Sequence, residues 1–264
     1  MRACARIVAE ADARGTSRLT TLAGQAPLLL RRTGPPGATA TVHLVGGAAG
    51  PIGGDRLDYV VDVGAGARVE VESSASSVVL PGPDGAESRL DIRARIRDGG
   101  SLLWRPQPQI AACAARHRTE SRVEVAEDAS LVWREEIVLG RSGETPGSIA
   151  ARLRVRRGGR PLIDHEIALG PDHAGSLGPA VTGGHRAVGS VLIVDPAWDG
   201  VGGTERLAAV AEACADWSDG SGWAAAMPLT GPAVLLSAAA RDGMVLGRLL
   251  DRAYTAISGL SRNA

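Results

Sequence analysis

The chain has no lysine and no phenylalanine, so all of its 29 basic residues are arginine. A Walker A nucleotide-binding loop and a Schiff-base enzyme both need a lysine amine, and the sequence therefore excludes both in their usual form. It has no run of about 18 apolar residues, which predicts that no helix crosses a membrane. The formal net charge is zero and offers no basic surplus for binding nucleic acid or an anionic membrane.

Cysteines are few and scattered, at Cys4, Cys113 and Cys214. They form no CxxC pair, so neither a zinc knuckle nor a disulfide framework is indicated, and we expect three reduced thiols in a cytoplasmic protein. Residues 1–15 lack the long apolar stretch of a secretory signal. With 264 residues, we expect a single domain over 1–264, with a β-rich body at about 40–200 and a helix-containing part at about 201–264.

The most informative stretch is Glu127–Glu144, which reads EDASLVWREEIVLGRSGE. In a β-strand, alternate residues share a face, so Glu135 lies on a face that is otherwise apolar and Glu136 points to the opposite side. A carboxylate on a buried face is costly unless it is paired, hydrated or bound to a cation. The other residues on the face of Glu135 are Leu131, Trp133, Ile137 and Leu139.

A degenerate repeat precedes and includes this stretch, and each unit has two alternating runs joined by a Gly- or Asp-containing turn. The units recur at about 30 residues, a period that favours stacked strands over a βαβ fold. An antiparallel sandwich, whose hairpins also resemble one another, is the alternative. The units are Arg56–Ser73, Arg89–Gln107, Glu120–Glu135 and Ala151–Glu166.

The pattern changes after about residue 170. Ser190–Asp195 and Ala233–Ser237 are short apolar runs that predict buried strands. Thr204–Trp217 and Asp242–Ile257 have helical apolar spacing, and Asp242 is a candidate N-cap of the second helix. The sequence therefore predicts a mainly β protein with two helices near the C-terminus.

Enzyme signatures are incomplete. His165 begins an HExxH pattern in which leucine replaces the second histidine, and no GxSxG elbow is present. His165, His173 and His185 lie in one loop-rich stretch and are either a metal site or exposed loop histidines. A metal-dependent hydrolase using Asp164, His165 and His173 is the enzyme alternative.

Three segments carry a family resemblance, and they are GPIGGDRL at Gly50–Leu57, WRPQPQI at Trp104–Ile110, and Glu127–Glu144. In order and spacing, over roughly Gly50–Gly147, they resemble the urease accessory protein family known as UreD or UreH. The resemblance implies a maturation chaperone rather than an enzyme, with a β-helix-like stack of strands and C-terminal helices. The missing Walker A loop agrees, because GTP hydrolysis would belong to a partner.

The resemblance also implies partners and cargo. Proteins of this family are scaffolds that deliver nickel to apo-urease, bind accessory protein F and through it the GTPase accessory protein G, and touch urease directly. We therefore expect no tightly bound cofactor, with nickel(II) in transit. The remaining alternative is a β-solenoid module that binds another protein and handles no ion.

A site hypothesis follows from the spaced carboxylates. We expect Asp55, Glu135, Glu136 and Glu144 to line or flank a polar passage through the β body, with Arg141 holding one carboxylate in a bidentate pair. The expected set includes both Glu135 and Glu136, because a one-residue gap in the alignment decides which of them matches the family glutamate. The alternative is a Glu–Arg network that only stabilises the fold.

The C-terminal helices are the expected contact for accessory protein F. Stripes of Leu and Ala can dock into a groove of a partner. Equally, such stripes can cover the end of the β stack. The residues expected at this contact are Leu246, Leu249 and Leu250.

Overall fold

The computed structural model describes residues 1–200, 202–203, 205, 209, 218 and 220–262. In that part the chain is mainly β, with two sheets and one long helix near the C-terminus. The strands are β1 (Arg2–Ala11), β2 (Ser17–Gly24), β3 (Leu28–Thr33), β4 (Thr39–Gly46), β5 (Arg56–Val63), β6 (Arg68–Ser73), β7 (Ser77–Val79), β8 (Ser88–Ile96), β9 (Ser101–Arg105), β10 (Gln109–Ala111), β11 (Arg116–Val125), β12 (Ser130–Leu139), β13 (Ser148–Arg157), β14 (Arg160–Leu169), β15 (Ala187–Val194), β16 (Gly222–Pro228) and β17 (Ala233–Ala240). The helices are α1 (Pro179–Thr182) and α2 (Gly243–Arg262), with 3-10 turns at Pro83–Gly85 and Pro196–Trp198.

The two sheets face each other. The smaller sheet has the order β14-β13-β11-β8-β5-β1-β2, and its five central strands are parallel. The larger sheet has the order β16-β17-β15-β12-β9-β6-β4-β3, and β7 and β10 join it beside β12. Antiparallel strands close both sheets at their ends, so the parallel strands lie in the middle of the stack.

The repeat of about 30 residues is one coil of a β-solenoid. Arg56 pairs with Arg89, Arg89 pairs with Arg118, and Arg118 pairs with Ala150, so equivalent positions of successive units stack in register. The first three units turn a corner between the two sheets, whereas Ala151–Glu166 is the β13–β14 hairpin. This confirms the mainly β, β-helix-like prediction, with about four turns, and excludes the antiparallel sandwich.

The main core lies between the sheets and is built from alternate strand residues. Trp104 and Trp133 are fully buried there and stack with ring centroids 5.0 Å apart and an interplanar angle of 10°. Tyr59 meets Trp104 edge-on at 5.8 Å. These three rings form an aromatic cluster within a core that is otherwise aliphatic.

A second apolar cluster lies between α2 and the outer face of the larger sheet. The predicted helix Asp242–Ile257 is α2, and it begins where the Asp242 carboxylate accepts a hydrogen bond from the Val245 backbone N–H at 2.8 Å. The predicted C-terminal strands are β15 and β17, each slightly longer than expected. The other predicted helix, Thr204–Trp217, lies outside the described residues.

Strands also occupy the first 40 residues, where the sequence carried little signal. β1 pairs in parallel with β5 and adds another strand to the smaller sheet. β2 pairs with β1 in that sheet, whereas β3 pairs with β4 in the larger sheet. In the part of the chain that the structure describes, no helix is long and apolar enough to cross a membrane.

Candidate functional site

The larger sheet is split beside β12. Its first half, Ser130–Trp133, pairs with β9, and its last part, Ile137–Leu139, pairs with β10. Between β9 and β10 the chain contains Pro106 and Pro108, which have no N–H to donate, so the ladder is interrupted there. Residues 134–136 consequently have no strand neighbour on that side, while β15 still pairs with them on the other.

Two cavities meet at this split. The inner cavity, of about 430 Å³, lies between the sheets and reaches Tyr59 and Trp104. The outer cavity, of about 700 Å³, lies between the split and α2. Six residues at the split line both cavities, and together they form the shared wall between the two. The shared residues are Ser73, Ser76, Pro106, Gln107, Arg134 and Glu136.

Glu135 borders the inner cavity and is partly buried. Its Oε1 accepts hydrogen bonds from Trp133 Nε1 at 3.0 Å and from Ser121 Oγ at 3.1 Å. No cationic side chain of the described residues pairs with it. Loss of hydration raises the pKa of Glu135, and the two hydrogen bonds only partly oppose this rise.

Glu136 points to the other side of β12 and is ion-paired. Its Oε1 lies 2.6 Å from Arg134 Nε, and Arg134 Nη1 lies 2.5 Å from Asp251 Oδ1 on α2. Burial raises the pKa of Glu136, and the neighbouring guanidinium opposes this effect. Adjacent carboxylates on one strand thus have different environments, one neutralised by arginine and one held by neutral donors.

Asp55 is buried, with 3% of its surface exposed, at the start of β5. Its Oδ1 lies 2.5 Å from the Met1 amino nitrogen, and its Oδ2 accepts a hydrogen bond from Ile52 N–H at 2.9 Å. The preceding turn needs glycine, because a Cβ at Gly53 would lie 2.2 Å from the Ala86 carbonyl oxygen. Asp55 lines neither cavity, but Pro51 of the same turn borders the inner one.

Glu144 and Arg141 form a surface pair in the turn after β12. Arg141 Nε donates to Glu144 Oε2 at 2.9 Å and Nη2 donates to Oε1 at 2.7 Å, in the bidentate geometry expected of Arg141. These bonds and the Arg141 backbone N–H lower the pKa of Glu144 to about 2. The pair lines neither cavity, so the structure does not bring Glu144 close to Glu135.

The three leucines expected at a partner contact are buried inside the protein. Leu246, Leu249 and Leu250 have 0%, 5% and 0% of their surface exposed, because they pack on β15, β16 and β17. These three side chains therefore cover the β stack, as in the second interpretation of the helix, and are not available for contact with a partner. The opposite face of α2 is exposed, and Met244 and Arg248 lie on it.

Comparison with known proteins identifies the family. The family model described as UreD urease accessory protein matches residues 1–263. The chain belongs to the UreD family. It is 41% identical over 258 residues to a urease accessory protein UreD of Streptomyces avermitilis, covering 97% of this chain and 98% of the relative. A UreD of Streptomyces coelicolor is 42% identical, with 97% of each chain covered, and one of Frankia alni is 40% identical, with 95% and 91% covered.

UreD proteins are non-catalytic chaperones of urease maturation, with a role in nickel insertion, so the resemblance drawn from the three sequence segments is confirmed. The enzyme alternative used Asp164, His165 and His173. Asp164 is held by Arg152 through two bonds of 2.7 Å, which lower the pKa of Asp164 to about 2. Among the described residues, no three His, Cys, Asp or Glu side chains are grouped to hold a metal ion.

Arg134 and Ser121 were missed by the sequence reasoning. Arg134 had a usable signal, because residues two apart on a strand share a face and Arg134 precedes Glu136 by two. Ser121 had none, since it reaches Glu135 from β11 across the core. In this UreD protein, the Arg134–Glu136 contact could be expected from the strand period, whereas the Ser121–Glu135 contact forms only when the chain folds.

Proposed function

We propose that this UreD protein is a scaffold that, with accessory protein F and through it accessory protein G, delivers nickel(II) to the active site of apo-urease. We propose further that nickel passes through the inner and outer cavities. The single observation that supports this route is the shared wall at the split in the larger sheet, where Glu136 borders both cavities. Glu135 stands beside it on the inner side.

The chemistry of the lining suits a passing ion. Nickel(II) accepts carboxylate, imidazole and water ligands. An ion in transit must bind strongly enough to enter and weakly enough to leave, as in ion pores. Glu135 has one oxygen bonded to neutral donors, and no arginine in the described part of the chain is ion-paired to it, so it offers a single carboxylate to a hydrated cation. One protein ligand is a weak site, which is what delivery requires.

The other proposed carboxylates flank this route. Asp55 lies behind the turn that borders the inner cavity, where the Ile52 backbone N–H donates to its carboxylate. Glu144, held by Arg141, shapes the turn at the far end of β12. We assign both a flanking role, with Glu135 and Glu136 at the passage itself.

Nickel delivery is tested by co-expressing apo-urease, accessory proteins F and G, and this chain, and by measuring the nickel content of purified urease. We expect nickel to fall severalfold when the chain is omitted. Glu135→Gln, which keeps the shape and the oxygen acceptor, is expected to lower it also. Glu124→Gln is the matched control, since Glu124 is an exposed carboxylate on the outer face of β11.

Two outcomes would contradict these proposals separately. Urease nickel that does not depend on the chain would reject the delivery function. Urease nickel that depends on the chain but is equal in wild-type, Glu135→Gln and Glu124→Gln proteins would reject the carboxylate passage. The second outcome would favour a protein-binding solenoid that handles no ion.

A further inference from the structure

The inner cavity has the lining of a site for a small organic molecule. Its wall is mostly aliphatic and aromatic, and its volume of about 430 Å³ is typical of ligand pockets. It opens to solvent along residues 48–49 and 74–76, which are exposed and border it. Passage of an ion would use only its carboxylates and leaves the apolar wall unexplained. The apolar residues of the wall include Leu57, Tyr59, Leu90, Ile92, Trp104 and Ile137.

A buried hydroxyl in this cavity has no protein partner. Tyr59 is 7% exposed, borders the cavity and packs its ring against Trp104. Within the described residues, no group forms a hydrogen bond with its hydroxyl oxygen. Buried tyrosine hydroxyls are normally hydrogen-bonded, so we expect the partner of Tyr59 to be a molecule inside the cavity.

Two further acceptors border the cavity from the larger sheet. Glu135 accepts both of its hydrogen bonds, from Trp133 and Ser121, through Oε1, and no described group donates to its Oε2. Gln109 pairs with Ile137, the next residue after Glu135 on the same face of β12. Its Oε1 accepts one hydrogen bond, from Thr119 at 3.1 Å, and a carbonyl oxygen can accept two. This end of the cavity can therefore receive more than one N–H donor.

The charges around Glu135 favour a cation. Arg134, on the other side of β12, lies 2.6 Å from Glu136 and 2.5 Å from Asp251, so it provides no net positive charge beside Glu135. A buried carboxylate without a cationic partner is costly. An ammonium group supplies the missing charge together with three N–H donors.

We propose that the inner cavity binds a small organic amine, with its ammonium group at Glu135 and its apolar body against Trp104. The apolar body releases water from the wall of the cavity, which favours binding. The Tyr59 hydroxyl is available to a polar substituent on that body. This site goes beyond the proposed nickel passage and does not depend on it. Because an ammonium group and a nickel ion would both occupy Glu135, a bound amine would close the proposed route to the ion.

The test uses phenethylamine and the purified full chain at pH 8. Trp104 borders the cavity, so tryptophan fluorescence, excited where the probe does not absorb, reports occupancy. Phenethyl alcohol is the matched neutral probe, with the same apolar body and a hydroxyl in place of the ammonium group. Glu135→Gln keeps the shape of the side chain and removes its charge. Glu124→Gln, on the outer face of β11, is the control variant.

We expect phenethylamine to half-saturate the wild-type and Glu124→Gln proteins at a concentration about tenfold or more below that of phenethyl alcohol, as for a hydrogen bond to a charged group. Glu135→Gln should lose this preference. The site would be overturned by the absence of a saturable response to the amine, by equal half-saturation of wild-type protein with the two probes, or by a preference that persists in Glu135→Gln. The two probes on wild-type protein decide the question even if the variant does not fold. Because nickel and urease are absent, the delivery function is tested separately by co-expression.

Discussion

Glu135 and Glu136 show how far one position along a strand changes the chemistry of a carboxylate. Glu135 faces the core side of β12, where tryptophan and serine are its donors, and Glu136 faces α2, where Arg134 neutralises it. Burial raises the pKa of both groups; the Arg134 guanidinium opposes the rise at Glu136, whereas two hydrogen bonds from neutral donors oppose it at Glu135. Burial therefore opposes ionisation of Glu135, and only hydrogen bonds from neutral groups offset it.

Glu135→Gln is expected to raise the midpoint of thermal unfolding at pH 8. Because the pKa of Glu135 is raised on folding, the native state binds its proton more tightly than the unfolded chain does. The resulting penalty is absent below the unfolded pKa of about 4.3 and complete above the native pKa. Calorimetry at pH 8 and pH 4 should show a gain of about 2–4 °C per kcal/mol relieved at pH 8 and none at pH 4.

Glu144→Gln is the control of opposite sign for this experiment. Arg141 lowers the pKa of Glu144 to about 2, so the contribution of this pair is present above about pH 4.3 and is lost as the pH falls towards 2. The pair is on the surface, and its effect should be small. A gain for Glu135→Gln that is equal at pH 4 and pH 8 would contradict the assignment of burial as the cause.

At the scale of elements, α2 is a cover with two unlike faces. Its buried face joins the second apolar cluster through Leu246 and Leu250, and Asp242 caps its first turn. Its exposed face contributes Met244, Arg248 and Asp251 to the outer cavity. The same helix therefore stabilises the larger sheet and forms one wall of the proposed passage.

Leu250→Ala should lower the free energy of unfolding by about 2–5 kcal/mol, because it leaves a cavity in a fully buried site. Met244→Ala, on the same helix with 72% of its surface exposed, should change that free energy by no more than about 0.5 kcal/mol. Urea titration of both variants measures the difference. Similar losses for the two would mean that α2 does not pack on the sheet in solution as described.

At the scale of the whole molecule, the solenoid has its apolar core between the sheets and its charged residues on the outer surfaces. Its core runs along the stack between the sheets, while rows of arginine and carboxylate pairs cover the outer face of the smaller sheet. Those basic residues are neutralised by cross-strand partners. The exposed face of α2 has arginines, Arg248 and Arg252, and lies next to the outer cavity, so we place the proposed contact with accessory protein F there.

Charge reversal on α2, Arg248→Glu with Arg252→Glu, is expected to reduce co-purification of accessory protein F at least severalfold. Like charges at an interface slow association and weaken it. Arg95→Glu with Arg97→Glu is the matched control, since both residues are exposed and distant in sequence from α2. Equal recovery of accessory protein F with both double variants would remove α2 from the interface.

Local sequence patterns were sufficient wherever neighbours along the chain decide the structure. Strand alternation placed Glu135 and Glu136 on opposite faces, the repeat of about 30 residues matched the coils, and Asp242 was recognised as the cap of α2. The segment 1–40 was missed because its strands depend on pairing along the chain: β1 pairs with β5 and β4 pairs with β6, while β2 and β3 pair with β1 and β4. The repeat also could not distinguish a corner from a hairpin, which depends on where the next strand finds a partner.

The family resemblance, the mainly β class and the carboxylates of interest could all be read from the sequence, because motif, period and charge are local properties. Three features emerged only from the folded chain: the larger sheet splits beside β12, two cavities share Arg134 and Glu136, and Asp251 reaches that arginine from α2. Folding also buries the leucines of α2 in the core. These features could not be read from the sequence because burial and ion pairing depend on groups brought together from more than 100 residues apart, such as Arg134 and Asp251 at a separation of 117.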